Sequence, residues 1–150
     1  KAYYHLVMDV FTKEKRSEIM RKIKSKDSKA EMLVRKIFCD LGFKHYRLAT
    51  PKLNFKPDLV FPGKKIAIFV NGCFWHGHEC QGGRIPKTNT DYWDLKNKTN
   101  ISRDNKNYEE LKKKGWRFLV IWECELGIRK RKELIQKILS FMEMKNDQAL

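Results

Sequence analysis

Two apolar runs, "DLVF" at residues 58–61 and "KIAIFVN" at 65–71, stand on either side of Pro62-Gly63, and that punctuation dictates how they meet. Proline at the second and glycine at the third position of a four-residue turn predict a type II turn, so the runs fold back as antiparallel neighbours and form the centre of the fold. The other elements are read outward from this hairpin. Residues 12–26, with Thr12 as N-cap and Ile19, Met20 and Ile23 as a thin apolar stripe among basic residues, predict an exposed helix. In "SKAEMLVRKIFCDLG", Ser28 stands three residues before Glu31, a capping-box spacing; Val34, Ile37, Phe38 and Leu41 follow, and Gly42 stops the helix. "FKHYRLA" predicts a strand, and Pro51 together with residues 54–57 marks a loop. A long amphipathic helix is expected from Asp91 to Gly115 on Trp93, Ile101, Tyr108 and Leu111, followed by a buried strand, "WRFLVIWECE". The last helix covers 129–144, with Leu134, Ile138, Phe141 and Met142 inward.

The order is helix, helix, three strands, helix, strand, helix. It predicts an α/β fold in which a mixed β-sheet is flanked by α-helices. At 150 residues the chain is expected to form a single domain over 8–145. Residues 1–7 lack the apolar core of a secretory signal and read as a leader ahead of Met8, and 146–150 read as a frayed tail. A chain of this size can bury roughly 70% of its unfolded surface, so it needs neither metals nor disulfides merely to fold.

Charge narrows the function. Thirty-three Lys plus Arg against eighteen Asp plus Glu give a net +15, which attracts polyanions, nucleic acid first. On charge alone acidic membrane surface stands second to nucleic acid, but no apolar run approaches the roughly 18 residues of a membrane helix, the chain reads as soluble, and no membrane partner is expected. With no signal sequence the expected compartment is the reducing cytoplasm, where four cysteines serve as thiols or metal thiolates rather than disulfides.

The segment from Gly72 to about Thr90 is polar, glycine-containing and aperiodic, too long for an idle connection; it reads as functional or held by a metal. It begins "GCFWHGHEC", placing Cys73, His78 and Cys80 in one short loop, and Cys124 closes the last strand. If the fold brings them together, three thiolates and one imidazole make a closed tetrahedral zinc site with no open position, hence a structural ion; the plainer alternative is two reduced cysteines and a surface histidine. His76 is the alternative imidazole ligand. Cys39, between Phe38 and Leu41, reads as a core residue. Phe74 and Trp75 are neighbours, which in an extended segment point oppositely, so at least one is expected to be exposed. At the hairpin, Asp58 follows Pro57, and its carboxylate and the Val70 carbonyl are expected side by side as hard oxygen donors suited to Mg²⁺.

In order and spacing, "KPDLVF", "FVNGCFWHGHEC", "YW" heading a helix and "GWRFLVIWEC" resemble the very short patch repair (Vsr) DNA mismatch endonucleases, over about residues 8–141. The resemblance implies a restriction-endonuclease-like fold and a Mg²⁺-dependent nick in one strand of duplex DNA, 5′ of the T in a T:G mismatch. It implies that Asp58 and the Val70 carbonyl hold Mg²⁺, that His76 is the general acid or base, and that Glu31 supports the metal through water. It assigns Cys73, His78, Cys80 and Cys124 to zinc. Phe74, Trp75 and Trp93 become an aromatic wedge beside the mismatch, with Met20 approaching from the other groove. Each role has a plainer rival: Glu31 as the partner of Ser28, Trp93 as helix packing, Met20 as core. Two departures stand out. "FVN" lacks the acid and lysine that many nucleases of the wider fold carry on this strand, and Asn71 stands where some members carry histidine, which leaves its catalytic part open. A monomer acting on DNA with repair-protein partners is expected. The alternatives are a restriction-type endonuclease on matched DNA and a non-catalytic zinc-dependent DNA-binding module.

Overall fold

The structure is a computed structural model that describes residues 12–22, 27–48, 53, 55–87 and 89–144. The expected leader, the start at Met8 and the frayed tail lie outside the described residues. Helix α1 spans Lys13–Lys22. Met20 falls on it, but its side chain also lies outside the described set. Helix α2, Lys29–Asp40, starts at Ser28, whose hydroxyl accepts the Glu31 N–H at 3.2 Å. The Glu31 carboxylate reaches back to the Asp27 N–H at 2.9 Å, one residue earlier than a standard capping box, and the helix ends where Gly42 takes φ +89°.

Strands β1 (Leu59–Phe61) and β2 (Ile66–Asn71) pair antiparallel, and β2 pairs in parallel with β3 (Arg117–Trp122), giving a three-stranded mixed sheet in the order β1-β2-β3. Helix α3 (Thr90–Lys113) is the crossover between the parallel strands, and helix α4 (Arg131–Glu143) follows β3. Side chains alternate across the sheet. Ile66 and Ile68 of β2 and Leu119 and Ile121 of β3 join Val34, Ile37 and Phe38 of α2 and Leu134, Ile138 and Met142 of α4 in one core. Ala67 and Phe69 face the other way, into a second core with Val60, Leu111 of α3 and Trp116. The architecture is therefore three layers, with α2 and α4 on one face of the sheet and α3 on the other.

Three expectations change. The hairpin turn is not type II: Pro62–Lys64 form a 3₁₀ turn closed by Lys65 N–H on Pro62 O at 3.2 Å, and Lys65, not Gly63, is left-handed at φ +50°. Lys65 is held there because its carbonyl accepts the Arg117 N–H at 2.8 Å at the head of the parallel pair. The described part of "FKHYRLA", residues 43–48, is no strand. Only Arg47 pairs, exchanging two 2.8 Å bonds with Val60, because β1 is so short that only its central residue turns its backbone groups to that edge. On α3 the apolar period places Leu111 correctly in the core but not Ile101, which is 38% exposed, while the polar Asn97 and Asn100 are buried.

This difference is measurable. Leu111→Ala should cost about 2–5 kcal/mol in urea unfolding, as large-to-small changes in a closed core do, whereas Ile101→Ala should cost about 1 kcal/mol or less.

Candidate active site and metal centre

The parallel register decides where the metal-binding side chains fall. Asn71 lies opposite Trp122, so Cys73 and Cys124 each sit two residues past the end of adjacent strands, on the same edge of the sheet. From β2 the chain enters a tight turn in which the His78 N–H donates to Cys73 O at 3.0 Å, bringing His78 back beside Cys73. The turn passes Gly77 at φ +63°, where an added Cβ would lie 2.9 Å from Ile101 Cδ1. Gly83 is crowded further, since a Cβ there would fall 1.7 Å from the His78 carbonyl oxygen, so only glycine lets the return strand pass.

Cys73, His78, Cys80 and Cys124 thus form one cluster, with a ligand atom from each lying within 4.8 Å of every other. Cys124 Sγ is 3.7 Å from His78 Nδ1, close to the roughly 3.5–3.8 Å edge of a tetrahedron built on zinc–ligand bonds of about 2.0–2.3 Å. The His78 ring stacks on Trp122 at 4.3 Å, which fixes its orientation. Burial pushes the Cys73 and Cys124 thiols up. For Cys80 burial also raises the value, but hydrogen bonds with His78 and Cys73 outweigh it and bring the thiol down to about 7. Such a donor set can hold a metal, and its assembly would release protons from the two raised thiols. The second strand end is braced separately: Lys137 of α4 binds Glu125 at 2.8 Å, and Glu125 accepts the Trp122 N–H at 2.7 Å.

His76 is not in that cluster. Its Nδ1 is 2.5 Å from Asp104 Oδ2, a residue of α3 that the sequence reading missed. This contact commits Nδ1 and leaves Nε2 as the nitrogen available to a substrate. Asp104 could have been found from helical spacing, since it stands one turn before Tyr108 on the face that meets the sheet.

Across the edge of β2, the Asp58 carboxylate accepts the Val70 N–H at 2.7 Å. The expected neighbourhood of Asp58 and Val70 therefore exists, joined through the amide. In a strand the N–H and C=O of one residue point to the same side, so the Val70 carbonyl faces the same edge. Past Leu59 the simple register breaks, for the Asp58 N–H donates to Ile68 O at 2.9 Å. Burial holds the Asp58 carboxyl up at about 6, against the Val70 hydrogen bond; Glu31 raises it further, and Arg35 and His76 act in the opposite direction. Those four side chains share one electrostatic neighbourhood. Glu31 is already engaged, by Asp27 N–H, by Ser28 Oγ at 3.0 Å and by Arg35 at 3.4 Å. Capping is thus present in the geometry beside any part it plays at the site. Asn71 is 6% exposed at the end of β2, with its Nδ2 donating to Tyr108 OH at 3.3 Å.

The aromatic residues meet more closely than expected. Residues 73–77 form a turn rather than an extended segment, so Phe74 and Trp75 do not diverge: their rings lie edge-on at 5.0 Å and both pack on Trp93, at 5.1 and 5.9 Å. All three remain partly exposed. Tyr92, 59% exposed, adds to the cluster at 5.0 Å from Trp93. Asn100 ties the turn to α3 through a 2.8 Å bond to Trp75 O.

A family profile described as DNA mismatch endonuclease Vsr matches residues 8–82. The chain is 49% identical over 118 residues to a type II nicking enzyme, V.NmeAIP, of Neisseria meningitidis serogroup A, covering 79% of this chain and 84% of that protein. It is 40% identical to the type II nicking enzyme V.XorIIP of Xanthomonas oryzae, covering 79% and 87% respectively. It is 35% identical over 132 residues to the DNA mismatch endonuclease Vsr of Escherichia coli, covering 88% of this chain and 83% of that one. Fold, charge and relatives together define a DNA endonuclease. The chain belongs to the Vsr family, and its mixed α/β fold is consistent with the nuclease-like fold expected of it.

A half-buried carboxyl held up at about 6 has a consequence for stability. The folded value lies above the ordinary 3.8, so the favourable protonated form is fully present below about pH 4 and is lost as pH rises through about 6. Asp58→Asn, which keeps the acceptor for Val70, should therefore stabilise the metal-free protein at pH 7 by about 1–3 kcal/mol and leave it unchanged near pH 4, measured by thermal unfolding in chelator.

Proposed function

We propose that this endonuclease nicks one strand of duplex DNA 5′ of the T in a T:G mismatch, by Mg²⁺-dependent phosphodiester hydrolysis, with zinc as a structural ion. What supports the reading is that the half-buried Asp58 carboxylate, bound to Val70, lies within electrostatic reach of His76, which Asp104 holds, and that the turn carrying His76 packs Phe74 and Trp75 on Trp93. Asp58 fits a hard divalent ion because burial leaves its charge under-compensated, and the Val70 carbonyl offers a second oxygen at the same edge. Together these would hold Mg²⁺, which supplies Lewis acidity at a phosphate oxygen and lowers the pKa of a bound water. Asp104 orients the His76 ring, and Nε2 then moves a proton to or from the reacting phosphate oxygens. Glu31 shares the neighbourhood of Asp58 and can steady water there.

Three soft thiols and an imidazole, all within 4.8 Å of one another, fit zinc, held by Cys73, His78, Cys80 and Cys124. Its part is to pin the wedge turn to the ends of β2 and β3. The aromatic cluster enters the stack beside the mismatch, where unstacking costs less than at a matched pair, so the wedge itself favours T:G sites. Met20 on α1 would approach from the other groove. The net +15 charge supplies the phosphate contacts and makes binding strongly salt-dependent. The protein is read as a cytoplasmic monomer; no helix among the described residues is long and apolar enough to cross a membrane.

Oligonucleotide duplexes of identical sequence, one carrying a T:G pair, test this directly. We expect a nick only in the mismatched duplex and only with Mg²⁺, lost by at least about 100-fold in Asp58→Ala and His76→Ala. Equal cutting of the matched duplex would move the protein to a restriction-type specificity. Elemental analysis should find zinc, absent from Cys124→Ala, and chelation should lower the unfolding temperature even where no DNA is present.

A further inference from the structure

Asn71 and Tyr108 form a pair to which the catalytic reading gives no role. Asn71 ends β2, directly after Val70, and is buried; Tyr108 lies on α3, one helical turn after Asp104. The same face of α3 therefore touches both chain segments that flank the site, through Asp104 to His76 and through Tyr108 to Asn71. The phenol is itself immobilised. Its ring lies flat on Phe118 of β3 at 4.5 Å and 9°, and edge-on to Phe69 of β2 at 5.3 Å. Two ring contacts on two strands fix where the hydroxyl sits.

An amide side chain has a donor end and an acceptor end separated by about 120° at one carbon, so committing one end aims the other. Asn71 Nδ2 is committed to Tyr108, and among the described residues Asn71 Oδ1 has no partner. We propose that Tyr108 is a positioning residue for cleavage: by holding Nδ2 it turns the Asn71 carbonyl oxygen away from the core, as an acceptor that orients the attacking water or the proton on it. Burial pushes the Tyr108 phenol up, with Asn71 acting in the opposite direction and Asp104 and Asp58 adding to the rise, so the hydroxyl stays protonated and lies within electrostatic reach of both acids. A carbonyl acceptor orients a water without carrying a proton itself, which makes Asn71 an aligning group and leaves proton transfer to His76.

The inference rests on the Asp58–His76 reading of the site, and the two fail differently. Single-turnover rates are measured with saturating Mg²⁺ on a duplex that the wild-type protein nicks, alongside DNA affinity and thermal unfolding. Tyr108→Phe keeps both ring contacts and removes only the hydroxyl. It should slow the cleavage step by about tenfold, the equivalent of a lost orienting hydrogen bond, while DNA affinity stays within about twofold. Asn71→Ala should slow it at least as much, and Tyr108→Phe should then add nothing further in the Asn71→Ala background. A wild-type rate in Tyr108→Phe, an equal further loss in the double variant, or a loss matched by weaker DNA binding would overturn the positioning role. Full activity in Asp58→Ala would instead overturn the site reading, whatever Tyr108→Phe does.

Discussion

The parallel ladder between β2 and β3 is the constraint on which the rest depends. Antiparallel neighbours would carry their C-terminal ends to opposite edges of the sheet; parallel ones end together, and the Asn71–Trp122 register makes them end level. From that single alignment follow the meeting of Cys73 with Cys124 and the stacking of His78 on Trp122. It also delivers His76, only a few residues past the strand, to the same edge as Asp58. Sites at the carboxyl ends of parallel strands are a general feature of α/β architectures, because the loops there leave the sheet on one side. A metal at the cluster would fasten what the backbone has already aligned.

Helix α3 is the second determinant, and its buried face is unusually polar. Asn97, Asn100, Asp104 and Tyr108 follow one another along the side that meets the aromatic turn and the sheet. Burying such groups costs about 1–3 kcal/mol each when they go unpaired. Asn100 and Asp104 offset that cost by binding Trp75 O and His76, whereas both amide atoms of Asn97, at 4% exposure, have no partner among the described residues. An apolar helix face would bury more favourably but hold the turn less specifically. Stability is given up where α3 fixes the aromatic turn and the His76 ring at defined angles, which is the usual place for a protein to do so.

Much of the fold was legible in the sequence. The capping pattern at Ser28, the run preceding Gly42 and the Pro62-Gly63 punctuation located α2 and the central hairpin, because these signals act within a few residues. The four members of the Cys/His cluster were legible as well, since thiols and imidazoles are rare enough to be noticed. Asp104 was not: one acid among many charges on an exposed-looking helix carries no local mark, and only the packing of α3 gives it a partner. The strand expected at "FKHYRLA" failed for a similar reason, as β-pairing depends on what the neighbouring strand presents, and β1 presents only Val60.

The amino-acid sequence by itself determined the types of chemistry available: a polyanion-binding charge, soft metal ligands, an acid and histidines on a loop beside a hairpin, and aromatic residues where a core has little use for them. Tertiary structure decided which of these groups act together. It separated His76 from His78, sending one ring to Asp104 and the other to the thiols; it joined Asp58 to Val70 and set Tyr108 against Asn71. The physical reason is range. Caps, turns and helical periods are fixed by contacts between near neighbours in the chain, whereas hydrogen bonds and ligand sets between β2, α3 and β3 exist only after the sheet has chosen its register.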